Sequence, residues 1–181
     1  MLIPSDKFNI FYILFLIIGT YERITNTFSK KQSKPTKKIY YKWIYFALFT
    51  TYLLCVVASV LEYFVNVKTV NVTVSISGFI IYGFGIFLRR SAIDELGEHW
   101  SNFTEIKEKH QIINTGVYGV FSNPYYLAVM LELIGICLIA NTYYALCIVL
   151  VVHMPLLILR IVLEKKVLKS NFGKLNNILF F

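Results

Sequence analysis

Charge is scarce in this chain. Of 181 residues, 15% are charged and 57% are hydrophobic, and the mean hydropathy is +0.63. Soluble domains carry roughly 25% charged side chains, so the shortage excludes an ordinary water-facing surface and leaves a membrane composition. Cysteine is scarce as well. Cys55, Cys137 and Cys147 lie far apart inside apolar runs, without metal-ligand spacing. They read as small buried hydrophobes, which removes disulfides and a metal centre from the expected chemistry. The chain also lacks internal repeats, low-complexity tracts and a G-x-G-x-x-G after a strand pattern, so a soluble dinucleotide-binding fold is not expected.

What the chain has is long apolar runs. They cover residues 8–21, 39–65, 72–88, 124–140 and 143–163. A bilayer core takes about 20 apolar residues as helix, within a range of ~17 to 25. The expected fold is therefore an all-α polytopic integral membrane protein with about five transmembrane helices. The first run is the shortest; it lacks a small-residue cleavage site and reads as a retained helix rather than a signal peptide.

The basic residues give the orientation. Residues 22–42 hold seven Lys or Arg, residues 89–121 hold four, and the segment from Arg160 onward holds five, leaving only Lys7 and Lys68 on the other side. Five spans with this bias place the N-terminus outside and the C-terminus in the cytoplasm. The net charge of +8 then reads as a topology signal and an attraction to anionic lipid, not as a nucleic-acid footprint. Residues 1–88 read as three N-terminal helices. Residues 89–181 read as a second unit with a loop, two further helices and a cytoplasmic tail. Within it, residues 91–115 are amphipathic and carry Trp100 and Phe103, as in an interfacial helix or a folded loop against the membrane.

Polar residues inside the spans are costly and therefore informative. Glu132 falls mid-span and is expected to face the bundle and pair with a neighbour. His153 precedes Pro155 and is expected to bond carbonyls loosened by a proline kink. Arg160 and Glu164, four residues apart, share a helix face. In the stretch from Asn114 to Met130 a glycine-containing loop runs into an apolar helix. Asn123 fits an N-cap and Pro124 the first helical position, while Gly116 and Gly119 allow a tight turn and a close backbone approach. Tyr118, Tyr125 and Tyr126 would sit at headgroup level.

In this order, LRRSAIDELGEHW, KHQIINTGVYGVFSNPYYLAV and RIVLEKKVLKSNFG resemble the isoprenylcysteine carboxyl methyltransferase family, whose relatives are the membrane phospholipid methyltransferases. The matching positions are Arg90, Ala92, Leu96, Gly97, His110, Gly116, Tyr118, Pro124, Tyr126, Arg160, Ile161, Glu164, Leu168, Phe172 and Gly173, over roughly residues 89–173. The chain departs at Ser122-Asn123, where the family has Arg-His, and at Lys165, where it has a second Glu.

The resemblance implies methyl transfer from S-adenosylmethionine to a lipophilic acceptor at the cytoplasmic leaflet, most simply the carboxylate of an isoprenylcysteine-like lipid. It implies a cofactor pocket between the 91–123 loop and the ends of the last two helices. His110, Gln111, Ile112, Ile113, Gly116, Tyr118, Asn123, Pro124, Tyr126 and Glu164 would line that pocket, and Arg160 would hold the acceptor with Glu164 beside it. Two other readings are open: an NADPH-dependent membrane reductase of similar architecture, and a non-catalytic helical membrane protein. The host sets the membrane, plasma membrane if prokaryotic and endoplasmic reticulum if eukaryotic. Asn71-Val72-Thr73 is a glycosylation sequon on the expected outer side, and Gly78, Gly83 and Gly85 could serve packing within one chain or between two.

Overall fold

The computed structural model describes residues 1–28, 39–97, 104–105 and 115–172. Helix α1 (Ser5–Arg23) runs on through a π-turn at Ile24–Phe28, followed in sequence order by α2 (Lys42–Asn66) and α3 (Val72–Leu96). A short 3-10 turn (Gly116–Gly119) precedes α4 (Pro124–Ala140). Helix α5 (Tyr143–Ile148), a second π-turn (Val149–His153) and α6 (Met154–Phe172) together form the last span. Among the described residues, four helices are long and apolar enough to cross a membrane: Ser5–Thr27, Lys42–Asn66, Val72–Leu96 and Tyr143–Val167. Helix α4 is apolar but has only 17 residues, a rise of about 25 Å. It is also the most enclosed helix: most of its residues are buried by neighbouring helices, so its length need not match the bilayer. The chain is an all-α polytopic membrane protein.

At one end of the bundle the chain is closed by a two-stranded ribbon. Strand β1 (Leu2–Pro4) pairs antiparallel with β3 (Thr69–Asn71), with Ile3 opposite Val70. Asn141 ends α4 in the left-handed conformation (φ 58°), accepts from Asn71 N at 2.9 Å and donates to Ser75 at 3.0 Å. The Glu62 carboxylate accepts from Tyr144 N at 3.1 Å and Ala145 N at 2.7 Å, satisfying the donors that begin α5. In the sequon, the Asn71 side chain accepts from Thr73 N and so caps α3. At the other end, strands β2 (Ile39–Tyr40) and β4 (Thr104–Glu105) pair antiparallel.

Two glycine contacts weld α3 to α4. A Cβ on Gly78 would lie 2.7 Å from Ile139 N, and one on Gly135 would lie 2.7 Å from Tyr82 Cβ. These glycines let the two backbones meet within one chain. Gly83 has nothing within 4 Å of where its Cβ would be. Around this pair, Tyr12 and Tyr63 approach to 4.5 Å between ring centres and Phe15 and Tyr82 to 4.9 Å, filling the α1–α2–α3 layer.

Residues 89–96 form the last turns of α3, which continues unbroken to Leu96 and stops at Gly97 (φ 48°). Of the stretch read as an interfacial helix or folded loop, residues 98–103 and 106–114 lie outside the described residues. Arg89 looked like a span terminus but is completely buried, and its charge is met by carboxylates from other helices.

Candidate active site

The expected site residues that are described converge on the start of α4. Gly116 opens the 3-10 turn with φ 53°, a conformation that favours glycine, and a Cβ there would lie within 2.9 Å of all three Glu95 carboxyl atoms. Thr115 donates its hydroxyl to the same Glu95, so the last turn of α3 anchors the loop. Gly119 closes the 3-10 turn without needing positive φ. Tyr118 follows, half-buried, in electrostatic reach of Glu164, Tyr125 and Glu95. Burial first, and these acids second, hold its phenol above the ordinary tyrosine range, so it stays a protonated donor.

Pro124 begins α4 as expected, but Asn123 does not cap it with its side chain. At φ −140° and ψ 61° the Asn123 backbone supplies the first carbonyl, accepting from Leu127 N at 3.1 Å. Two residues on, the Tyr126 hydroxyl donates to Glu164 Oε2 at 2.5 Å and accepts from Arg160 Nε at 2.9 Å. The expected shared face of Arg160 and Glu164 is therefore knitted by a tyrosine from the facing helix. The Tyr125 ring stands 5.8 Å from that of Tyr126. His110, Gln111, Ile112 and Ile113 lie outside the described residues, as does Gly173.

A second cluster adjoins the first and was only partly foreseen. Glu132 is buried and accepts from Arg23 of α1 and, at 2.6 Å, from Arg89 Nε of α3. Arg89 also donates to Glu22 and to Thr27, and Arg90 Nε reaches Glu22 at 2.7 Å. The Arg23 guanidinium covers the Tyr52 ring, 4.1 Å from its centre. Tyr125 lies in electrostatic reach of Arg23, Arg89 and Glu132, so it stands between the two clusters. Glu132 carried a sequence signal, a lone acid in an apolar run. Glu22, Arg23 and Arg89 sit at run ends, where charges are ordinary, and Glu95 lies in a mixed-charge stretch. Nothing local marked them.

His153 departs from expectation in its partner. Its Nδ1 meets Thr51 Oγ1 of α2 at 3.0 Å rather than carbonyls freed by Pro155. Cys55 and Cys137 are buried as expected, while Cys147 is exposed on the helix surface. Among the described residues no group of three or more His, Cys, Asp or Glu could hold a metal ion.

A helical membrane bundle with an acid–tyrosine–arginine cluster at one end of its last two helices defines the class: a polytopic membrane protein with a polar site at the bundle's end. The chain belongs to the phospholipid methyltransferase family, whose family model matches residues 73–175. The match begins in α3 and spans Glu95, Gly116, Tyr118, Tyr126, Glu132, Arg160 and Glu164. No curated protein matches the chain. Family and fold together make this an integral membrane methyltransferase.

Proposed function

We propose that the protein transfers a methyl group from S-adenosylmethionine to the carboxylate of a lipophilic, isoprenylcysteine-like acceptor at the cytoplasmic face of the membrane. The observation that carries this is the Tyr126 hydroxyl held between Glu164 and Arg160, an anionic and a cationic group side by side at one end of the bundle. The orientation rests on the concentration of basic residues at that end.

The residues present fit the cofactor. Bound there, S-adenosylmethionine supplies a methyl group already activated on a sulfonium, so a carboxylate acceptor needs no general base. Glu164 and Glu95 supply negative charge for a cationic group, and the rings of Tyr118 and Tyr126 supply flat walls. Gly116 carries no side chain, which lets the turn close onto Glu95 and holds that carboxylate beside the loop. Asn123 and Pro124 close the wall above Tyr126, and His110 to Ile113 belong to the same proposed lining. Arg160 orients the acceptor carboxylate, whose oxygens match the guanidinium fork. Partial burial excludes water and fixes the line of approach.

A second acceptor is favoured by the family description, which names phospholipids. For an amine, a proton must leave, and the short Tyr126–Glu164 bond provides a carboxylate with a relay hydroxyl to take it. One experiment tests the whole reading. The purified protein is given cofactor labelled in the methyl group together with extracted membrane lipids, and the labelled lipid is then treated with base. Release of labelled methanol is the expected outcome and identifies a carboxyl ester; label that survives base identifies an N-methylated lipid. No incorporation, together with no binding of S-adenosylhomocysteine, would sink the methyltransferase assignment for this chain, and binding of NADPH instead would move it to the reductases.

A further inference from the structure

His153 is buried, and its Nε2 is, among the described residues, the buried side-chain polar atom without a hydrogen-bond partner. The chemistry of that atom follows from its neighbour. Thr51 has a single hydroxyl proton, and its Oγ1 lies 2.9 Å from Ala47 O and 3.1 Å from Leu48 O, where a helical threonine donates backwards. The same Oγ1 then accepts from His153 Nδ1 at 3.0 Å, so Nδ1 carries the ring hydrogen. Nε2 is left as a lone pair that needs a donor.

Its position gives that lone pair a use. His153 closes the π-turn Val149–His153, and such single wide turns recur at functional sites. Arg160 and Glu164 lie seven and eleven residues further on, within a few tens of degrees of the same helix face. Buried Leu157 lies between His153 and Arg160 on that stripe. At 1.5 Å per residue, His153 is about 10 Å from Arg160 along the helix, toward the middle of the span. Tyr52 joins the Arg23–Glu132–Arg89 cluster to it, its ring centre 6.4 Å from the imidazole and 4.1 Å from the Arg23 guanidinium.

We propose that His153 is a specificity residue for the lipophilic acceptor: its Nε2 accepts a hydrogen bond from a hydroxyl or N–H group carried about 10 Å from the atom that takes the methyl group. The proposal rests on the methyltransferase reading and narrows it. The acceptor shares the polar head already described, but its apolar part carries a donor, which a plain hydrocarbon or unmodified isoprenoid chain lacks. Sites that hydrogen-bond a substrate group discriminate strongly against analogues without it, because the buried partner is left unmade.

The test uses the full chain, purified in detergent and labelled with 15N-histidine, with the His153 signals assigned by their loss in His153→Gln. The probes are two matched pairs: 10-hydroxystearate with stearate, and a lysophosphatidylethanolamine with its diacyl counterpart. The expected result is that the hydroxylated member of at least one pair moves Nε2 to a hydrogen-bonded position and binds about tenfold more tightly than its counterpart. His153→Phe abolishes that difference, and His153→Gln, which still offers an acceptor oxygen, keeps most of it. An Nε2 signal that is hydrogen-bonded before any lipid is added, or that responds alike to both members of each pair, overturns the proposal and makes His153 a packing residue. S-adenosylhomocysteine binding on the same samples reports on the methyltransferase reading alone, so the two failures are distinguishable.

Discussion

Tyr126 serves two partners through one oxygen. Its hydroxyl proton goes to Glu164 and its lone pair takes the Arg160 proton. Removing that oxygen leaves a carboxylate and a guanidinium four residues apart on one helix, free to pair directly. Tyr126→Phe should therefore cost little stability but misplace both charges, lowering S-adenosylhomocysteine affinity about tenfold, as expected for a lost charge-assisted bond of ~1.5 kcal/mol. Calorimetric titration measures this, and unchanged affinity would remove Tyr126 from the cofactor wall. Buried charges make a second residue-scale case. Glu132 neutralises Arg89, which has no contact with solvent, and Arg23, which is mostly buried. Glu132→Leu should lower stability by about 3–5 kcal/mol, because two guanidinium groups lose a buried partner. Arg89→Met alone should also be damaging, yet the double variant should be less damaged than the sum of the singles. Simple additivity in thermal unfolding would mean the network carries no coupling.

At the scale of elements, the α3–α4 seam gives a contrast inside one helix. Gly78 and Gly135 face backbone at distances that a Cβ cannot share, whereas Gly83 faces open space. Gly78→Ala or Gly135→Ala should separate the helices and lower the melting temperature by several degrees. Gly83→Ala should be neutral or stabilising by roughly 0.5–1 kcal/mol, because it only removes backbone freedom from the unfolded chain. Equal effects at all three positions would contradict the seam. The same elements show what sequence can carry. Apolar runs and cheap boundary signals such as Pro124 place the helices, because each depends on its own residues. Where α3 ends does not, since Arg89 is tolerated inside the bundle only through Glu22 and Glu132, 67 and 43 residues away in sequence. The order of short motifs pointed to Tyr126, Arg160 and Glu164. The partner of His153 and the anchor of Gly116 are properties of packing that no window along the chain contains.

For the whole molecule, the antiparallel course of the helices puts the Thr69–Asn71 turn at one end, with α1's Arg23, Arg90 and Glu164 at the other. Four or more basic residues per segment collect at the latter, and the former has Lys7 and Lys68. In the proposed orientation, read from the distribution of positive charge, the site end is the cytoplasmic one and the ribbon of β1 and β3 the outer one. This orientation matters for the proposed chemistry, because S-adenosylmethionine, the proposed donor, is made in the cytoplasm and would not reach a site on the outer face. A cysteine placed at Lys68, in a Cys147→Ser background where Cys55 and Cys137 stay buried, should react with a membrane-impermeant maleimide in intact cells or sealed microsomes of known sidedness. A cysteine at Lys166, near the end of the last span, should react only after the membrane is opened. The reverse pattern would turn the bundle over, and with it the methyl-transfer assignment would lose its supply of cofactor while the fold itself stood unchanged.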